Sequence, residues 1–314
     1  MDDLTAVYAV PGWLGLALIT LLCVGLACGG HVIVHRTFRS VDFIEHNEVA
    51  GFIVAVVGVL YAVLLGFLTV VVWEHYAESD ERAQSEVDAA TDIWRFARLL
   101  PAPQADRIRG DIERYAVAVA GDEWPKMRRG ESSAQVQALI IHLIADIAAI
   151  PLPDARASNL QSHLLDRVQV MADLRRHRIN DNRSTVLPVI KLALIVGACT
   201  VLGFLYLFGL ENFRVQLLMT AATATIIGIL LALIVLLDYP FRGDVSVSPE
   251  RWLELYATMV QEAGLHSTTS TGATPRGKVP GSAGRLGQII KATPNSTTAL
   301  AAPWTVVSRS PNRT

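Results

Sequence analysis

The 314-residue sequence predicts an all-α integral membrane protein with four transmembrane helices and a helical cytoplasmic domain between the second and third of them. Three observations carry that prediction. Four apolar runs are each long enough to cross a bilayer core of ~30 Å at a helical rise of ~1.5 Å per residue. Composition agrees, since 52% of the residues are hydrophobic, only 18% are charged and mean hydropathy is +0.38, a balance that soluble chains of this size seldom show. The long segment between the second and third runs keeps apolar residues at helical spacing, without an alternating β-branched stretch bounded by turns.

After an N-terminal segment (1–10), the first pair of spans occupies 11–73. The first, PGWLGLALITLLCVGLACGGHVIV (11–34), has His31 near its end and is followed by His35, Arg36 and Arg39 where a signal peptide would place small residues for cleavage. The second, GFIVAVVGVLYAVLLGFLTVVVW (51–73), has no acid, base, amide or histidine. Gly51, Ala55, Gly58, Ala62 and Gly66 recur in it at steps of four and three, a bare seam on one helix face. Lipid tails give apolar helices no reason to associate, so such a seam points to close packing against another helix. The second pair, within 186–237, reads VLPVIKLALIVGACTVLGFLYLFG (186–209) and VQLLMTAATATIIGILLALIVLL (215–237), the latter with its own small-residue row at Ala221, Ala224, Gly228 and Ala232. Lys191, one turn into span three, is open to two readings: a charge snorkelling to the interface, or an attraction for anions.

Between the pairs, residues 74–185 resolve into amphipathic helices ended by Pro101, Gly121 with Pro125, Pro151 and Pro188. Acidic residues on the first of these, Glu78, Asp80, Glu81, Glu86, Asp88 and Asp92, alternate with arginines and are expected on solvated faces. After span four, Ser248 as cap and Pro249 at the first helical position start an amphipathic helix within 238–262, expected to dock on the bundle through Trp252, Leu253, Leu255, Tyr256 and Met259, with the bilayer surface as the alternative. A basic Ser/Thr/Gly/Pro-rich tail (263–314) is expected to be disordered. Arginines near the spans favour the side that holds both termini, so the termini are expected to be cytoplasmic.

No enzyme signature stands out: no phosphate loop, no nucleophile elbow, no paired carboxylates within a span. The three cysteines lie inside the spans, so no disulfide, catalytic set, metal site or cofactor is expected. His31 and His35 share a helix face at spacing four, but a wet, charged loop is the simpler reading. The expected partners are the lipid bilayer and further copies of the chain; no nucleic acid is expected.

HNEVAGFIVAVVGVLYAVLLGF (46–67), EWPKMRRG (123–130) and LDYPFRGDVSVSPE (237–250) together resemble the bestrophin-like domain family of bacterial membrane proteins, over roughly residues 8–262. The resemblance implies a multi-pass protein of the bacterial inner membrane with the layout reached above. By analogy with bestrophins, which are pentameric anion channels, it further implies an oligomeric channel for small anions whose second span lines the pore, with Phe52, Phe67 and Lys191 as candidate pore-lining residues. The sequence departs from animal bestrophins in lacking an acidic run after span four. The alternative is a non-transporting scaffold or sensor whose helical domain binds a cytosolic partner.

Overall fold

The computed structural model describes residue 8 and residues 10–37, 47–183, 185–207 and 212–270, and among them every regular element is helical. Helix α1 (Gly12–Thr37), the long α2 (Asn47–Phe96), α6 (Pro188–Tyr206) and α7 (Phe213–Leu237) coincide with the expected spans, and all four are long and apolar enough to cross a membrane. The bundle elements are the C-terminal half of α2, α3 (Ala102–Ala118), α4 (Ala134–Ala148) and α5 (Ala155–Asp181), joined by α8 (Glu250–Ser270). α8 therefore runs past its expected end at residue 262. The rest of the tail expected to be disordered, from residue 271, and most of the first ten residues lie outside the described residues.

Local chemistry sets the boundaries. α2 ends where Pro101 forbids further helix, after one 3₁₀ turn over Ala97–Leu99. Ser133 Oγ accepts from the Val136 N–H at the start of α4, and Asp154 Oδ1 accepts from the Ala157 N–H at 2.8 Å at the start of α5. Pro188 opens α6, and Ser248 Oγ accepts from the Glu250 N–H at 3.1 Å to open α8. Between α3 and α4 the chain passes through a π turn (Val119–Glu123) and an α turn (Trp124–Met127). That segment closes with Gly130 at φ 79°, where a side chain would be strained and a Cβ would also meet the Arg242 guanidinium.

Two apolar clusters result. One fills the bundle, from Ala83 and Trp94 on α2 through Ile108, Tyr115, Ile140 and Val168 to Trp252 and Met259 on α8. The other lies among the spans, with Tyr61, Leu65, Leu68 and Val72 of α2 against Leu194, Ala198 and Val201 of α6 and Ile227 and Ile234 of α7. α1 packs chiefly on α7. There the expected small-residue row is consumed: Ala224, Gly228 and Ala232 are buried, and a Cβ at Gly228 would lie 3.0 Å from Thr20 Cα and 3.1 Å from Cys23 Cβ.

This close approach is testable. Gly228→Leu is expected to force α1 from α7 and lower the thermal midpoint of the detergent-purified protein, by about 1–3 kcal/mol of overpacking. Gly25→Leu, where nothing lies within 4 Å, is expected to leave the midpoint within a degree or two.

Candidate functional site

The second span divides into faces with different fates. Tyr61, Leu65, Leu68 and Val72 are buried against the chain's own helices. Tyr61 donates its hydroxyl to the Leu194 carbonyl at 3.0 Å, and its ring occupies the space over Gly197, where a Cβ would come within 2.5 Å of it. The close approach here is thus a large residue of α2 in the groove of a glycine on α6. The seam of Gly51, Ala55, Gly58, Ala62 and Gly66 lies roughly a quarter turn away at ~100° per residue, and none of it is buried. No described atom comes within 4 Å of where a Cβ would sit at Gly58 or Gly66. Among the described residues, then, the close packing expected of the seam is absent within the chain. Phe52 and Phe67, 74% and 70% exposed, lie further round still.

Lys191 is half-buried, and its Nζ donates to Asp238 Oδ2 at 2.7 Å. Asp238 is the organising residue of this corner, where the end of α7 meets the start of α6. Its Oδ1 accepts from the N–H groups of Thr185 and Val186 at 3.0 and 2.9 Å, tying the end of α7 to the approach of α6. Beside it, the Arg242 guanidinium lies over the Tyr239 ring at 4.3 Å. Tyr8 meets Tyr239 edge-on, and its hydroxyl donates to the Val235 carbonyl at 2.5 Å. Burial, then the Asp238 charge, push the Tyr8 hydroxyl well above its ordinary pKa. Phe241 and Trp124 stack edge to face, and the Trp124 indole N–H donates to the Val247 carbonyl at 3.0 Å. The segment 238–249 is therefore a strap joining the spans to the bundle.

Beneath the strap lies a cluster of four buried charges. Glu86 of α2, Glu123 of the π turn and Arg178 of α5 are 0% exposed, and Arg175 is 3% exposed. Arg178 holds Glu86 with two donors, at 2.6 and 3.0 Å, and reaches Glu123 Oε2 at 2.8 Å. Arg175 grips the other side of Glu123 at 3.0 and 2.5 Å and also donates to the Ser133 carbonyl and to Gln137. Tyr115 donates to Glu86 at 2.7 Å, and the Arg178 guanidinium sits 4.7 Å from the centre of the Trp124 ring. The formal charges cancel. Burial alone would raise the Glu123 carboxyl, but Arg178 and Arg175 outweigh it and hold it below the usual carboxylate range. Burial likewise disfavours the Arg178 cation, yet Glu86 and Glu123 raise its pKa overall. Glu86 was expected on a solvated face. The structure corrects this: Glu86 falls on the same stripe as Ala83, Ala90 and Ile93, and that stripe is buried.

Elsewhere, His31 is buried with Nδ1 3.4 Å from Thr220 Oγ1, and His35 lies on the Phe213 ring at 4.7 Å between centroids. Among the described residues, the grouping with metal-ligand geometry is a different one: Asp111 on α3 with His142 and Asp146 on α4. The spacing of His142 and Asp146 at i and i+4 was the available signal, and their partner on another helix was not visible in the sequence.

The fold and this arrangement define an all-helical membrane protein whose second span runs on into an ion-bridged bundle. The sequence profile of the Bestrophin-like domain matches residues 21–252, and the chain belongs to that family. Its fold is similar to crystal structures of two variants of a bacterial bestrophin homologue from Klebsiella pneumoniae. These match at 15% and 14% identity with TM-scores of 0.55 and 0.53, covering 79% and 78% of this chain and 98% and 99% of theirs. No curated protein sequence matches the chain.

Removing one member of the buried cluster strands the others. Arg178→Met is expected to cost about 3–5 kcal/mol in chemical denaturation, and Arg178→Lys to recover little of it, since a lysine cannot span Glu86 and Glu123 with fixed forked donors. Because Glu123 has its pKa depressed in the folded state, its stabilising contribution is present above the unfolded value of ~4.3 and is lost as pH falls below it. A plot of stability against pH should fall on that acid side, and less steeply in Glu123→Gln.

Proposed function

We propose that the chain is a subunit of an oligomeric channel for small anions, with α2 lining the pore. One observation supports the reading above the others: over the membrane, the described chain covers a single face of α2 and leaves both the glycine seam and the Phe52 and Phe67 side open. Membership of the Bestrophin-like domain family and the likeness in fold to a bestrophin homologue agree with it. On this reading the seam meets α2 or another span of a neighbouring copy, and Phe52, Phe67 and the aliphatics beside them narrow the axis. Lys191 is then a member of the corner between α6 and α7, because its charge is already answered by Asp238 at 2.7 Å. The alternative of a non-transporting scaffold draws on Ile141 and Ile144, which stand 60% and 41% exposed on the bundle.

The decisive experiment is anion flux from liposomes containing the full-length protein. Chloride-loaded vesicles should release their anion at a rate proportional to protein content, and Phe52→Ala or Phe67→Ala should change that rate at least several-fold. Absence of flux at every pH and calcium concentration tried would sink the channel reading and leave the scaffold.

A further inference from the structure

Asp111 sits in the middle of α3 with its side chain 1% exposed, yet among the described residues its Oδ2 has no hydrogen-bond donor. Facing it from α4, Asp146 is 16% exposed and its Oδ2 is likewise without a donor. The two carboxyls come within hydrogen-bonding reach of one another. Two carboxylates in that position repel, and a buried oxygen left without a partner is costly, so the arrangement calls for positive charge between them. His142 stands at the rim, one helical turn before Asp146 and 58% exposed, with Nδ1 3.3 Å from Asp111 Oδ1 and 3.7 Å from Asp146 Oδ2. The Arg114 guanidinium meets Asp111 Oδ1 from outside. It leaves Oδ2 unanswered and, at 58% exposed, is free to swing into solvent.

The three donor atoms, all within 4.8 Å of one another, have the chemistry and spacing of a ligand set. Zinc binds imidazole nitrogen and carboxylate oxygen at ~2.0–2.2 Å, so two ligands at adjacent corners of its tetrahedron lie about 3.4 Å apart. The observed 3.3 and 3.7 Å straddle that edge length. Three protein ligands leave the fourth corner for water, on the solvent side where His142 is exposed. We propose that Asp111, His142 and Asp146 form a site for one zinc-like divalent cation that clasps α3 to α4. The raised pKa of Asp111, caused first by burial and then by Asp146 against the opposing pull of Arg114, agrees with a carboxyl that lacks its counter-charge.

The test uses the full-length protein in detergent, purified without a histidine tag and stripped by chelator. Zn²⁺ calorimetry should show a saturable equivalent per chain that weakens at least tenfold in His142→Ala and in Asp146→Asn. Co²⁺ should give tetrahedral absorption in the parent and not in the variants. Zn²⁺ should raise the parent's thermal midpoint and leave that of His142→Ala unmoved. Because His142 is exposed, His142→Ala should fold with the parent's metal-free midpoint, so lost binding reads the site and not the fold. Two results overturn the proposal. One is Zn²⁺ binding no tighter in the parent than in His142→Ala. The other is no binding together with an infrared carboxylic-acid band at neutral pH that vanishes in Asp111→Asn, which would assign the gap to a shared proton.

Discussion

The structure hangs on one uninterrupted helix. α2 runs from Asn47 to Phe96 without a kink-forming proline, and one stripe of buried positions continues along it, widened in the bundle by Val87, Ala89 and Trp94. In the membrane the stripe is Tyr61, Leu65, Leu68 and Val72; below it come Ser79, Ala83, Glu86, Ala90, Ile93 and Ala97, still at steps of three, four or seven. A helix that keeps a heptad-like stripe over that length must meet all its partners on the same side. The spans α6 and α7 and the bundle helix α5 are therefore stacked along one edge of α2, and the opposite side stays open from end to end of the membrane portion.

Where the stripe leaves the bilayer, apolar packing gives way to charge. Glu86 takes the place that an aliphatic residue would otherwise fill, and Arg178, Glu123, Arg175 and Tyr115 complete its hydrogen bonds. Burying four charges is costly, and the mutual attraction roughly offsets the desolvation. What such a cluster adds is geometric: Glu86 accepts only a forked cation at one height on α5, and Glu123 reaches it only because the π turn rotates the chain after α3. Asp238 repeats the device one layer up, fastening Lys191 and the approach to α6 to the end of α7. The bundle and the spans are thus held in register by hydrogen-bonded charge at two levels.

Much of the fold is legible in the sequence because its causes are local. Spans show as long apolar runs, and the bundle helices show as periodic stripes closed by Pro101, Pro151 and Pro188. Charge burial has no such local signature. Glu86 and Arg178 look like any residues of an amphipathic helix until α2 and α5 are brought together, although Glu86 does fall on the apolar stripe. The small-residue rows were legible as packing faces but not as to whose partner they serve: the row on α7 meets α1, while on the α2 seam no described atom lies within 4 Å of a Cβ at Gly58 or Gly66. Asp111 and His142 are thirty-one residues apart in sequence and meet only through the pairing of α3 with α4. The motifs EWPKMRRG and LDYPFRGDVSVSPE turn out to supply Glu123, Trp124, Asp238 and Phe241, the residues that join the layers.

The central claim is that α2 spends one face on its own chain and keeps the neighbouring glycine seam for another copy. Native mass spectrometry of the full-length protein, compared with a Gly58→Leu, Gly66→Leu double variant, tests it most directly. The account predicts an oligomer for the parent and a shift to the single-chain mass for the variant, whose helical circular dichroism stays unchanged because a Cβ at either glycine has no described atom of its own chain within 4 Å. A parent that is already a single chain, or a variant that keeps the parent's mass, would contradict it.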